Sequence, residues 1–316
     1  MRIGLFLLLI AGCVPALSAQ GDAWPNRPLR FIVGPGPDIV ARMFGEKLTE
    51  ELGQQVVVDQ RPGGGGVVAV EATVRAAPDG YTFLNTTGSI VIGVGLFTKS
   101  PYDLTRDLTP VALILTVSNV LVVNPSLPAK TVGELIQYAR GNPGKLNFAS
   151  GGTGTAGHLT GELLKSLAKI EMTHVPYKSL AQATTDVLGG HAQLMFLTTQ
   201  TAVPHIASGR LRALAVSSAK RTPALSELPT MMESGVAGFE YSSWNGVHLP
   251  PRASPQVVMR VHAALEKILA RADLRERVLS MGMEPAISSP AAFGDIVKSD
   301  LAKWRGVMQA AGIRPE

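Results

Sequence analysis

The chain has 316 residues, 46% of them hydrophobic and only 17% charged, which excludes a disordered or highly charged coiled-coil protein. Its 29 Lys and Arg against 24 Asp and Glu leave a charge of +5 with no block of like sign, so nucleic acid is not an expected partner, although small anions would be attracted. A chain longer than about 250–300 residues ordinarily divides its core, so two lobes are expected.

Met1-Arg2, the apolar run Ile3–Ala11 and the small residues Ala16-Leu17-Ser18-Ala19 read as a secretory signal peptide over residues 1–19, too short to span a membrane. The single cysteine, Cys13, lies inside it, so the mature chain is expected to have neither disulfides nor a thiolate nucleophile. Ile10-Ala11-Gly12-Cys13 also resembles a lipobox, in which Cys13 would carry lipid and become the mature N-terminus.

Beyond Trp24, short β-rich runs alternate with amphipathic helices. Strands are expected at Leu29–Val33, Gln55–Asp59 and Tyr81–Asn85, with helices at Asp38–Leu52 and Val67–Ala76 between them and Pro78-Asp79-Gly80 as a turn. The middle of the chain repeats the scheme. Its strands are Val120–Val123, Leu146–Ser150, Thr173–Val175, Gln193–Phe196 and Arg212–Val216. Its helices are Thr131–Arg140, Gly157–Ala168, Leu180–Leu188 and Thr201–Ala207, with Thr131 and Glu134 as a capping box. A helical tail follows at Pro255–Arg271, Leu274–Met281 and Pro290–Ala311. Alternation of this kind implies an α/β fold with parallel-rich sheets covered on both faces. The lobes are expected at 20–121 plus 245–316 and at 122–244, joined by crossing strands at Asn119–Asn124 and Asn245–Leu249.

Ligands of open α/β sheets sit beyond the carboxyl ends of the strands. The loops there are Gly34–Pro37, Arg61–Gly66, Thr86–Ser89, Gly151–Gly157, Pro176–Ser179 and Thr198–Gln200. Glycines, hydroxyls and amides dominate them, and such loops present neutral donors at helix N-termini, where an anion is stabilised. Gly152-Thr153-Gly154-Thr155-Ala156-Gly157 also matches the dinucleotide pattern G-x-G-x-x-G, with Glu171 fourteen residues on, so a nucleotide-dependent oxidoreductase is an alternative. No G-x-S-x-G occurs. The histidines His158, His174, His191, His205, His248 and His262 form no H-x-x-x-H, so neither a catalytic serine nor a metal site is expected. Tyr177 and Lys178 could offer a phenol and a cation, and Trp244 a stacking surface.

Trp24-Pro25-Asn26-Arg27-Pro28-Leu29-Arg30-Phe31-Ile32-Val33 resembles the mature start of the Bug-type receptors, the extracytoplasmic solute-binding proteins of tripartite tricarboxylate transporters. The resemblance continues through Leu52–Val58, Arg61-Pro62-Gly63, Ala77–Thr82, Asn124–Thr131, Gly154-Thr155 with His158-Leu159, His174–Lys178, Pro204-His205-Ile206 and Arg212–Val216, and it covers the chain from Trp24 to about Gly312. It implies a two-lobed periplasmic binding protein of the Venus-flytrap type, without enzymatic activity or cofactor. Such a protein works as a monomer, captures small carboxylates and delivers them to a permease of one large and one small subunit. Carried over by position, the ligand-contacting residues would be Thr86, Thr87, Gly154, Thr155, His158, Tyr177 and Thr198, with Ser89, Lys178 and Trp244 beside them. The chain departs from the family pattern at three places. The first loop, Gly34–Pro37, is about three residues short, Ser179-Leu180 replaces a glycine pair, and Leu197 stands where aspartate is common. A sensor subunit that hands its liganded form to a histidine kinase would share every one of these binding features.

Overall fold

The computed structural model describes residues 24–34, 38–63, 66–94 and 101–313. The signal-peptide and lipobox readings at 1–19, together with residues 35–37 of the short first loop, lie outside the described residues.

The chain opens with β1 (Leu29–Val33), α1 (Ile39–Leu52), β2 (Val56–Gln60), α2 (Val67–Val74), β3 (Thr82–Thr87) and α3 (Gly88–Val94). The long strand β4 (Thr109–Val123) leads to α4 (Val132–Gly141), β5 (Asn147–Ser150), α5 (Ala156–Ala168), β6 (Thr173–Pro176), α6 (Leu180–Leu188), β7 (Leu194–Thr198), α7 (Thr199–Ala207) and β8 (Arg212–Val216). The return strand is β9 (Ser242–Leu249), followed by α8 (Pro255–Leu269), α9 (Ala272–Ser280), β10 (Glu284–Pro285) and α10 (Pro290–Ala310). Local chemistry accounts for the ends. Glu134 N donates to Thr131 Oγ1 at 3.1 Å, while the Glu134 carboxylate accepts from Lys130 N, one residue ahead of the cap. Gly53 closes α1 in the left-handed region at φ 65°, where a side chain would be strained.

Two sheets share one strand. In the first, β2, β1 and β3 are mutually parallel, β9 lies antiparallel to β3, and β4 lies antiparallel to β9 over Thr109–Ser118. In the second, β4 pairs antiparallel with β7 and β8 over Asn119–Val123, and β7, β5 and β6 run parallel. The expected strand at Val120–Val123 is therefore the last part of a 15-residue strand that begins at Thr109. Val111–Val117 reads as an undifferentiated apolar run because it is covered on both faces, so no alternation marks it as β. The return crossing falls at Tyr241 and Ser242, ahead of the expected Asn245: Tyr241 N donates to Ser217 O in the second sheet, and Ser242 pairs with Ser118 in the first.

Separate apolar cores form on the two sides. Phe31, Phe44, Ile114 and Leu265 lie in one, and Phe148, Leu164, Leu194 and Phe239 in the other. The final helix α10 lies against both. Its Phe293 packs under β9, and Trp304 and Met308 lie with Leu159 of α5. The fit under β9 is tight, because a Cβ at Gly246 would stand 2.1 Å from Phe293 Cζ. Gly246→Ala should therefore overpack the sheet and lower stability by about 1–3 kcal/mol. A lower urea midpoint should show this, and the Phe293→Ala background should absorb much of the loss because the two sites are in contact.

Candidate functional site

The direction of β4 sets the geometry. Since β3 runs parallel to β4 through β9, its carboxyl end points towards the second sheet, whereas β7, antiparallel to β4, points its carboxyl end back towards the first. The carboxyl ends of the two parallel sets thus face each other where β4 changes sheet. A cavity of about 280 Å³ opens there.

One wall is polar and built on strand alternation. In β3, Asn85 and Thr87 face the cavity, and in β9 so do Ser243 and Asn245. Ser89 follows on α3, and Thr198 and Gln200 enter from the opposite sheet at the start of α7. Asn85 is buried, with Nδ2 donating to Asn245 Oδ1 at 3.2 Å and Oδ1 without a hydrogen-bond partner among the described residues. Thr198 Oγ1 lies 3.0 Å from Thr201 Oγ1. Thr199 Oγ1 donates to Ser118 O at 2.7 Å, which anchors the first turn of α7 to the shared strand. The other wall is apolar: Val33, Ile39, Val40, Ile90, Val117 and Met283. No ionisable side chain lines the cavity among the described residues.

The expected site residues divide into three groups. Thr87, Ser89 and Thr198 line the cavity. Thr86 and Trp244 point away from it, since each alternates with residues that face in. Thr86 is fully buried with Oγ1 2.7 Å from His248 Nδ1, and Trp244 Nε1 donates to Asp300 Oδ2 at 2.7 Å. Ending β3 at Asn85 makes Thr86 look like a loop residue. The strand in fact continues to Thr87, so the pleat decides which side chain turns inward, and the same period of two would have singled out Asn85 and Thr87. Asn245 and Ser243 flank Trp244 and required only the start of β9 to be found. Gln200 lies in the expected Thr198–Gln200 loop and lines the cavity as well.

The remaining group lies farther along the same edge of the second sheet. Gly154, Thr155 and His158 follow β5, and Tyr177 and Lys178 follow β6; none of the five is among the cavity-lining residues. The β5 loop is closed on itself. Thr155 Oγ1 donates to Gly152 O at 2.7 Å, and Gly154 N donates to His158 Nδ1 at 2.9 Å. Gly152 and Gly154 sit at φ 131° and 74°, so the G-x-G spacing supports a folded-back turn. Tyr177 OH donates to Asp186 Oδ2 at 2.7 Å, and burial followed by that carboxylate pushes its phenol up to about 12; Lys178 is exposed. Leu197 is fully buried in the second sheet's core, so the family's aspartate position faces inward here, one residue before Thr198.

Beneath the loop, His158 stacks on His174 with ring centres 3.7 Å apart, and Phe148 flanks His174. Ser150 Oγ joins His174 Nε2 at 2.7 Å to the Gly152 backbone. Burial lowers the pKa of both histidines. His158 also repels protonation of His174, which is brought to about 4, and Glu162 opposes the shift at His158. Among the described residues, no group of three or more His, Cys, Asp or Glu is placed to hold a metal ion, and no helix is long and apolar enough to cross a membrane.

A sequence profile described as the tripartite tricarboxylate transporter family receptor matches residues 40–313. The UPF0065 protein in the tcbD-tcbE intergenic region of Pseudomonas sp. strain P51 is 37% identical over 289 residues, covering 90% of this chain and 86% of its own. Protein BugT of Bordetella pertussis is 33% identical and covers 99% and 97% of the two chains. Among solved structures, R. palustris Rpa4515 with adipate is 34% identical with a TM-score of 0.79, covering 93% of this chain and all of that one.

The neutral histidine stack has a pH consequence. Below the ordinary 6.5, the unfolded chain takes up a proton that folded His174 refuses until about 4, so its contribution to stability is complete above 6.5 and lost on acidification across that window. The urea midpoint should fall between pH 7 and pH 4.5, and His174→Gln should reduce that fall. Equal falls would mean that His174 is not held neutral.

Proposed function

Because the chain belongs to the tripartite tricarboxylate transporter receptor family and has the periplasmic binding protein fold, we propose that it captures a small carboxylate between its two sheets and presents it to a membrane permease of one large and one small subunit. The observation that carries the reading is the cavity between facing strand ends, whose polar side, among the described residues, is lined by neutral hydroxyls and amides. Such donors, with the first turn of α7 beside them, stabilise an anion without desolvating a buried cation. Adipate in the R. palustris relative supports a carboxylate ligand.

In this reading Thr87, Ser89 and Thr198 contact the ligand together with Asn85, Gln200, Ser243 and Asn245. Gly154, Thr155, His158, Tyr177 and Lys178 form the rim that approaches as the lobes close, and Thr86 and Trp244 brace the contact strands from behind. The lobes, 20–121 plus 245–316 and 122–244, would rotate about the crossing strands. The protein would be exported as a monomer to the periplasm after loss of residues 1–19, and would act as a receptor without catalysis.

Two measurements test this. Thr87→Val keeps the side-chain shape and removes a donor to a charged acceptor, which should weaken binding by about 1.5–3 kcal/mol, or roughly 10- to 150-fold. Calorimetric titration with the best acid of a carboxylate panel reads this directly, and equal affinities would remove Thr87 from the site. Mass spectrometry of the protein secreted to the periplasm should find a mature chain starting at Ala19 or Gln20; an intact Met1 would overturn the export reading.

A further inference from the structure

We propose that the ligand is a carboxylate with one charged end and a hydrocarbon body, rather than a di- or tricarboxylate charged along its length. This rests on reading the cavity as a carboxylate site and specifies which carboxylates it takes. The cavity is two-faced. Its polar groups come from β3, β9, the start of α3 and the junction of β7 with α7, while Val33, Ile39, Val40, Val117 and Met283 make an apolar face from β1, α1, β4 and the segment before β10. A single carboxylate finds neutral donors enough on the first face. A second or third carboxylate would be placed against the apolar face, where an ion loses its hydration and gains no partner.

Among the described residues no ionisable side chain lines the cavity, and the Arg61 side chain beside Val33 is paired with Asp59 at 3.0 Å. The pair next to Ile39 and Val40, Asp38 with Arg42, is closed on itself at 2.6 Å. Ile39 is 42% exposed and lines the cavity, so it offers apolar surface to whatever enters. The cavity, at about 280 Å³, lies at the small end of ligand sites, which run from about 300 to 1,000 Å³. An acid of the size of hexanoate or benzoate suits that space.

The test is calorimetric titration of the full mature protein with hexanoate, benzoate, succinate and citrate at one ionic strength. Hexanoate or benzoate should bind at least about tenfold more tightly than succinate and citrate, the scale by which an apolar pocket discriminates. Ile39→Ser, at an exposed position, should keep the wild-type urea midpoint and weaken binding of the preferred acid about tenfold. Succinate or citrate binding as tightly as the others would overturn the proposed ligand class while leaving the carboxylate reading intact, and so would an unchanged affinity in Ile39→Ser. Binding of none of the four acids would overturn the carboxylate reading itself and this inference with it.

Discussion

Each backbone group of β4 must find a ladder partner, and across Thr109–Val123 those partners change from β9 to β7 and β8 between Ser118 and Asn119. Because the strand is continuous, the two sheets inherit a fixed relation from it. Because β9 and β7 both run antiparallel to it, the parallel strands on either side end facing one another. The cavity follows from that relation. So does the position of α7, whose first turn is tied to Ser118 O on the shared strand. A second connection, between Tyr241 and Ser217, closes the return path within a few residues of the same point.

Within this frame the pleat allots roles. Asn85 and Thr87 turn towards the cavity, while Thr86 between them is committed to His248. Ser243 and Asn245 do the same around Trp244, which is committed to Asp300. The residues that point away have both hydrogen-bonded partners and tight packing, and they hold the strands whose other face lines the cavity. The second sheet contributes by a different device. Thr198 and Gln200 stand at a strand-to-helix junction, and the neighbouring Gly151–Thr155 loop is stiffened by its own hydrogen bonds above two stacked neutral imidazoles. The polar wall these devices build holds hydroxyls and amides and, among the described residues, no ionisable side chain. The remaining wall is aliphatic.

The sequence alone determined most of the secondary structure. Periodicity, caps and turn glycines act over a few residues, so α1, α4, α6, β1 and β8 are legible almost to the residue, and the resemblance in spaced motifs led to the family and fold. It also showed that the strand-to-helix loops are rich in neutral donors. What it left open needed partners distant in the chain. The continuous apolar run of β4 cannot declare itself a strand of two sheets, because covering on both faces erases alternation. With β3 expected to end at Asn85, Thr86 reads as a loop residue, and the alternation that turns Asn85 and Thr87 inward is not carried past the strand's expected end. The neighbours that decide these points lie far away: Asn245 is 160 residues from Asn85, and His248 is 162 from Thr86. Only the tertiary structure brings such pairs together, because register and facing are set by inter-strand hydrogen bonds and burial, quantities that a local pattern does not contain.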